Sequence, residues 1–241
     1  MTKSVNLGIL EAFQNGIVKS TTLMVGMPAF EHAVMLAKEN HGLGVGVHLT
    51  LTAGYPISKD ANTLTDEDGR FLKQDKFFQS LDKINLEEVQ TEFIAQIEKT
   101  LAAGIQPTHL DSHHHVQASE PILKIFCDVA KKYNLPVRNI IKKGGHLIAG
   151  NYSDLGINTT DACDVSFHDD NATVGNFIEC IENFRGESLE IMCHPAYLDL
   201  ELKEITSYGI QRIYELHVLK SERIKQYINE KSIVLTNFAG L

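Results

Sequence analysis

The stretch Thr108-His109-Leu110-Asp111-Ser112-His113-His114-His115 decides how the rest of this 241-residue chain is read. Its first half has the period of an extended strand and runs straight into three consecutive imidazoles. Side chains alternate across a strand, so His109, Asp111, His113 and His115 are predicted to project to one face and His114 to the other. Four imidazoles and a carboxylate within eight residues are costly to bury without a purpose. The competing reading is a hydrated histidine tract at the surface. Upstream lies the clearest helix, Leu86 to Ala103, with Val89, Phe93, Ile94, Ile97 and Leu101 as its apolar stripe and Gly104 as its stop. Downstream, Pro121 to Tyr133 reads as a helix and Leu135 to Asn139 as a strand.

The same alternation extends in both directions. Asn6 to Asn15 is predicted as a helix stopped by Gly16, Ser20 to Val25 as a strand, Pro28 to Glu39 as a helix, and Leu43 to Leu51 as a strand. Thr52 to Phe78 has no periodicity and reads as a functional lid or rim. Lys142 to Asp170 shows no clear elements. Thr173 to Phe184 reads as a helix, and Leu189 to Cys193 as a buried strand entering His194-Pro195. Tyr208 to Asn229 follows as a helix or helix pair, and Ile233 to Asn237 as a last strand. With no Pro/Ser-rich linker, residues 1–241 are expected to form a single α/β domain. Its sheet should be mostly parallel, open or closed into a barrel, with chemistry at the carboxyl ends of the strands.

Composition narrows the partners. A formal net charge of −9 offers no basic face for a phosphate backbone, which argues against nucleic acid and for a neutral or cationic small ligand. Cys127, Cys163, Cys180 and Cys193 show no C-x-x-C spacing, as expected of free thiols in a reducing compartment. No run approaches the ~18–20 apolar residues of a membrane span, and no basic-then-apolar leader opens the chain. A cytoplasmic protein without membrane contact is expected.

Three histidine sites fall at the predicted ends of three strands: His48, the His113 to His115 cluster, and His194. A divalent metal held by two imidazoles and one carboxylate, with an open position for water, is a hydrolytic arrangement. A carboxylate can then act as general base and a separate histidine can protonate a leaving amine or alcohol. Taken singly, His48 reads first as a core histidine, a reading that its place at a strand end opposite the cluster reverses, and His194 is equally readable as a turn residue. His32 and His217 read as solvated, His41 as a helix-end residue and His146 as a loop residue, while His168 beside Asp169 and Asp170 has no assigned role.

Four segments together carry a resemblance: Gly16-Ile17-Val18-Lys19-Ser20-Thr21-Thr22, Gly46-Val47-His48-Leu49-Thr50-Leu51, Thr108 to His115, and Met192-Cys193-His194-Pro195. They resemble the YdjC family of carbohydrate deacetylases, which includes the chitooligosaccharide deacetylases, over nearly the whole chain. The resemblance implies a distorted (β/α), TIM-like barrel that removes acetyl groups from N-acetylated sugars with a divalent metal, Mg2+ or Zn2+. It implies His48 and His113 as metal ligands, His115 and His194 as candidates for acid catalysis and substrate positioning, and Arg138 as the group orienting a catalytic carboxylate. It also suggests a homodimer. Family members begin with a strand ending in Asn-Ala-Asp-Asp-Phe-Gly, which supplies the third ligand and a general base. Here Met1-Thr2-Lys3-Ser4 begins after that point. The first strand is therefore expected to be missing, either because the natural protein is longer or because this form is short. In a short form Asp111 is the carboxylate best placed by alternation to substitute, although its usual role would be to support a ligand, and the edge of the Ser20 to Val25 strand would be exposed. Two rival functions are sugar or metal binding without catalysis, and phosphoester hydrolysis. The second is disfavoured by the acidic balance and the lack of a Gly- or Arg-rich phosphate cradle.

Overall fold

The computed structural model describes residues 1–143 and 146–241; Gly144 and Gly145, inside the stretch 142–170 that has no clear sequence signal, lie outside it. In chain order, α1 (Lys3–Gln14), β1 (Ser20–Leu23), α2 (Phe30–Glu39) and β2 (Gly44–Leu49) come first. They are followed by α3 (Gln74–Gln79), α4 (Leu86–Ala102), β3 (Leu110–Ser112) and α5 (Ile122–Tyr133). A short pair, β4 (Ile141–Lys143) and β5 (His146–Ile148), precedes β6 (Ala162–Asp164), α6 (Val174–Asn183) and β7 (Leu189–Ile191). The chain closes with α7 (Leu200–Ile205), α8 (Ile210–Leu219) and α9 (Glu222–Glu230).

The alternation of strand and helix yields a parallel arrangement, as crossover connections require. β1, β2 and β3 form one parallel sheet in chain order. Parallel bridges from Leu110 to Val137 and from Val137 to Thr159 extend it, and β6 pairs in parallel with β7. Among the described residues no ladder closes these strands into the expected barrel. The strand expected over Leu135 to Asn139 shrinks to the single residue Val137, which bridges on both sides. Pro136 in its centre has no N–H and can only accept, which it does from Leu110 N at 2.9 Å. Residues 233–237 join no ladder among the described residues. The late helical stretch breaks at Lys220-Ser221 into α8 and α9.

Alternation along β2 positions the functional groups. Val47 and Leu49 pack into the core with Val89, Phe93 and Ile97 of α4. Gly46 and His48 alternate with them on the other face. A Cβ on Gly46 would come within 2.4 Å of the His109 ring, so only glycine leaves room for that imidazole. His109 itself stacks on Phe238 of the C-terminal segment, with ring centroids 4.1 Å apart.

The region 52–78, read from the sequence as a functional lid or rim, is tied to helix α4. Leu64 and Phe77 are fully buried, and Phe71 and Leu72 nearly so. Helix α4 presents Glu88, Glu92 and Gln96 at four-residue spacing, one face of the helix. Glu92 accepts the N–H groups of Ile57 and Ser58 at 2.8–3.1 Å and the Gln96 amide at 2.8 Å. Gln96 bonds both the N–H and the carbonyl of Thr50, and Glu88 holds Thr63. Backbone groups of an aperiodic segment need partners once buried, and this stripe supplies them just beyond His48. Glu92→Ala should therefore lower the urea midpoint substantially, by about 1–3 kcal/mol for each donor left dry; an unchanged midpoint would show that the segment is not held there.

Candidate active site

The parallel pairings put the carboxyl ends of β1, β2, β3, the Val137 segment and β7 at one end of the molecule, and the candidate residues gather there. Asp111 is their centre. It lies opposite His48 in the β2–β3 register and is wholly buried. The Thr22 hydroxyl donates to Oδ1 at 2.6 Å, while Oδ2 lies 2.9 Å from His48 Nδ1 and 2.6 Å from Arg138 Nη1. Burial alone would raise the pKa of this carboxyl, but the Arg138 guanidinium and His48 outweigh it and hold the pKa well below the usual carboxylate range. Asp111 thus stands as an enclosed, ionised hub rather than as a base open to substrate.

Arg138, also buried, is shared between two carboxylates. Its Nε and Nη2 donate to Glu190 Oε1 at 2.9 and 2.7 Å. Glu190 was not singled out from the sequence, although a charge inside Leu189-Glu190-Ile191, a strand read as buried, is the signal that marks it.

His48 and His113 meet edge to face, with ring centroids 5.4 Å apart. The alternation predicted from the sequence ends at His113. His114 and His115 both adopt left-handed backbone conformations, at φ 53, so the chain coils instead of continuing as a strand. Such conformations cost about 1–3 kcal/mol each in non-glycine residues. Ser112 braces the coil by donating its hydroxyl to the Gln117 side chain and accepting the Gln117 N–H at 3.1 Å. As a result His114 does not face away from the cluster: its ring lies 3.8 Å from that of His113, and its Nδ1 is 2.9 Å from the Thr52 hydroxyl.

His194, half-buried in the segment after β7, lies near the guanidinium charges of Arg212 and Arg138. Burial is the main cause that pushes its pKa down to about 3, and burial together with Arg138 pushes His115 down to about 4. His113 lies well below the usual value through burial and the neighbouring imidazoles, and His114 is lowered in the same way. The rings are therefore uncharged at neutral pH, the state in which imidazole binds a metal or takes a proton. Nδ1 of His115 and of His194 are buried without a hydrogen-bond partner.

His48 and His113, the residues expected as ligands of a divalent metal, are neighbours in the folded chain. Asp111 beside Nδ1 of His48 favours the proton there and leaves Nε2 as the donor. Among the described residues no group of three His, Cys, Asp or Glu side chains is placed to hold a metal. No helix among them is long and apolar enough to cross a membrane.

Fold and site together define an α/β protein with a histidine-rich polar centre at the carboxyl ends of its parallel strands. The chain belongs to the YdjC-like protein family, whose model matches residues 1–230. A carbohydrate deacetylase of Clostridium beijerinckii is 44% identical to it over 242 residues, covering 100% of this chain and 96% of its own length. A carbohydrate deacetylase of Brevibacillus brevis is 43% identical, covering 100% of this chain and 95% of its own length. A crystal structure from Enterococcus faecalis V583, described as a candidate cellobiose-phosphate cleavage protein, is 34% identical and superimposes with a TM-score of 0.90, covering 99% of this chain and 94% of its own.

Proposed function

We propose that this chain is a divalent-metal-dependent hydrolase that removes acetyl groups from N-acetylated sugars, chitooligosaccharides among them. The observation that carries this is full-length similarity to proteins named carbohydrate deacetylase, at 44% and 43% identity, in a chain whose His48, His113, His115 and His194 converge at one end of a parallel sheet. On the same basis the parallel strands form a distorted barrel, and the protein acts in the cytoplasm as a homodimer on a small sugar substrate.

His48 and His113 would hold the metal, Mg2+ or Zn2+, which when bound supplies Lewis acidity to the acetyl carbonyl and to the attacking water. Asp111 keeps His48 in one tautomer and orientation. Arg138 keeps Asp111 ionised and in place, and Glu190 on its other side fixes the guanidinium. Asp111 and Arg138 thus act by positioning. His115 and His194 handle protons. Because both are neutral at pH 7, the proton that reaches the leaving group must be collected within the cycle. A neutral imidazole takes it from water as oxygen adds to the acetyl carbon, then passes it to the sugar nitrogen as the C–N bond breaks, leaving the amine and acetic acid, whose proton moves to the amine or to solvent to give acetate. Phosphoester hydrolysis is less well served, since the two arginines near His194, Arg138 and Arg212, are both committed to protein partners.

Acetate release from diacetylchitobiose, with added magnesium or zinc and with a chelator as control, tests this directly. Release that stops with chelator is expected. Metal binding with no release would favour a sugar-binding protein, and release indifferent to chelator would remove the metal from the reaction.

A further inference from the structure

His194 lies in a segment without regular structure between β7 and α7, so something other than a backbone ladder must fix it. Helix α8 does so with two buried side chains one turn apart. Glu215, with no exposed surface, accepts the His194 N–H, and Arg212 donates to the His194 carbonyl at 3.2 Å. Both backbone polar groups of one residue are thus taken by one helix. The second Glu215 oxygen accepts the Tyr208 hydroxyl, and that hydroxyl in turn accepts the Asp169 N–H at 3.0 Å. Arg212 also donates Nε to the Tyr208 carbonyl at 2.8 Å. Glu215 Oε1 lies 3.9 Å from His194 Nδ1, beyond hydrogen-bond reach, so the carboxylate grips the backbone and not the ring.

A wholly buried carboxylate costs stability unless its oxygens are well used. Both are used here, and both hold a loop at the carboxyl end of the sheet: the one that bears His194 and, through Tyr208, the one after β6. The sequence pattern places Glu215 on the inward stripe of α8 with Arg212, Leu216 and Leu219, where an apolar residue would ordinarily stand.

We propose that Glu215 is a positioning residue that sets the His194 imidazole at the reacting centre through the His194 backbone N–H, with Arg212 holding the carbonyl and Tyr208 completing the carboxylate. The kinetic side of this rests on His194 being the proton carrier proposed above. Glu215→Ala should lower kcat with little change in KM, since a misplacement of about 1 Å costs about 10²-fold. Glu215→Gln, which retains an oxygen for the His194 N–H, should recover most of that loss. The deciding measurement is a double-mutant cycle: if Glu215 acts through His194, then His194→Ala with Glu215→Ala is no slower than His194→Ala alone, whereas penalties that multiply would overturn the proposal. Should Glu215→Ala fail to fold, Tyr208→Phe is cycled against His194→Ala in the same way, with a several-fold loss that vanishes in the double variant expected.

A second readout does not depend on the reaction. In 15N-histidine spectra, with the His194 signal identified by its loss in His194→Ala, Glu215→Gln should shift that signal and leave His109 unmoved. Absence of acetate release from the unaltered chain would reject the deacetylase assignment, and the spectra would still decide the positioning. An unmoved His194 signal in Glu215→Gln together with unchanged kcat in Glu215→Ala and Tyr208→Phe would reject Glu215 itself.

Discussion

His113→Ala should leave a folded chain that holds no divalent metal after dialysis and releases no acetate. The ring is partly buried and neutral, and it packs against the imidazoles of His48 and His114, at 5.4 and 3.8 Å between centroids. Its removal leaves no buried charge behind, so the thermal midpoint should fall little compared with removal of Asp111, which would leave the buried Arg138 with Glu190 as its one remaining carboxylate and the Thr22 hydroxyl without its acceptor. Metal affinity, by contrast, depends on each neutral nitrogen donor, and His48 cannot retain the ion alone. Metal content of the purified variant, measured beside acetate release, is the check. Retained metal in a folded variant would show that His113 is not a ligand, whatever happens to turnover.

His194→Ala should give the complementary result: metal content unchanged and kcat lower by about 10²–10⁴-fold, the range of a lost general acid–base group. His194 follows β7, and its hydrogen bonds to helix α8 are made by its backbone, which alanine retains, while the edge-to-face contact of its ring with Tyr208 is lost. The folded state should therefore survive. If both variants lose metal equally, His194 is a ligand and the division of roles fails. If His194→Ala keeps full turnover while His115→Ala does not, the proton carrier is His115, which burial and Arg138 likewise keep uncharged at neutral pH.

Much of the architecture was legible in the residues. The apolar stripe of α4, the glycine after α1 and the run from Leu110 into the histidines mark their elements to within a few residues, because each signal is a short-range period or a local stop. The three strand-end histidine positions were legible for the same reason. Segments whose conformation is imposed from outside were not. Residues 52–78 have no period, yet they are held because Glu88, Glu92 and Gln96 of a helix later in the chain satisfy their backbone. The left-handed His114 and His115 follow no periodic rule, and the brace from Ser112 to Gln117 appears only in the folded chain.

By itself, the sequence determined that strands and helices alternate, that the strands run mostly parallel, and that imidazoles and a carboxylate stand near strand ends, since periodicity, stops and side-chain alternation act over a few residues; the short β4–β5 pair is the antiparallel exception. Tertiary structure alone decided which of these groups meet. The register of β2 against β3 sets His48 beside Asp111, and the parallel run of the sheet brings Arg138 between Asp111 and Glu190, 52 residues further along the chain. Helix α8, remote from β7, supplies the grip on His194. No spacing along a chain specifies such encounters, because they depend on how non-adjacent strands and crossover helices pack, and on which buried polar atom is left for each charge to satisfy.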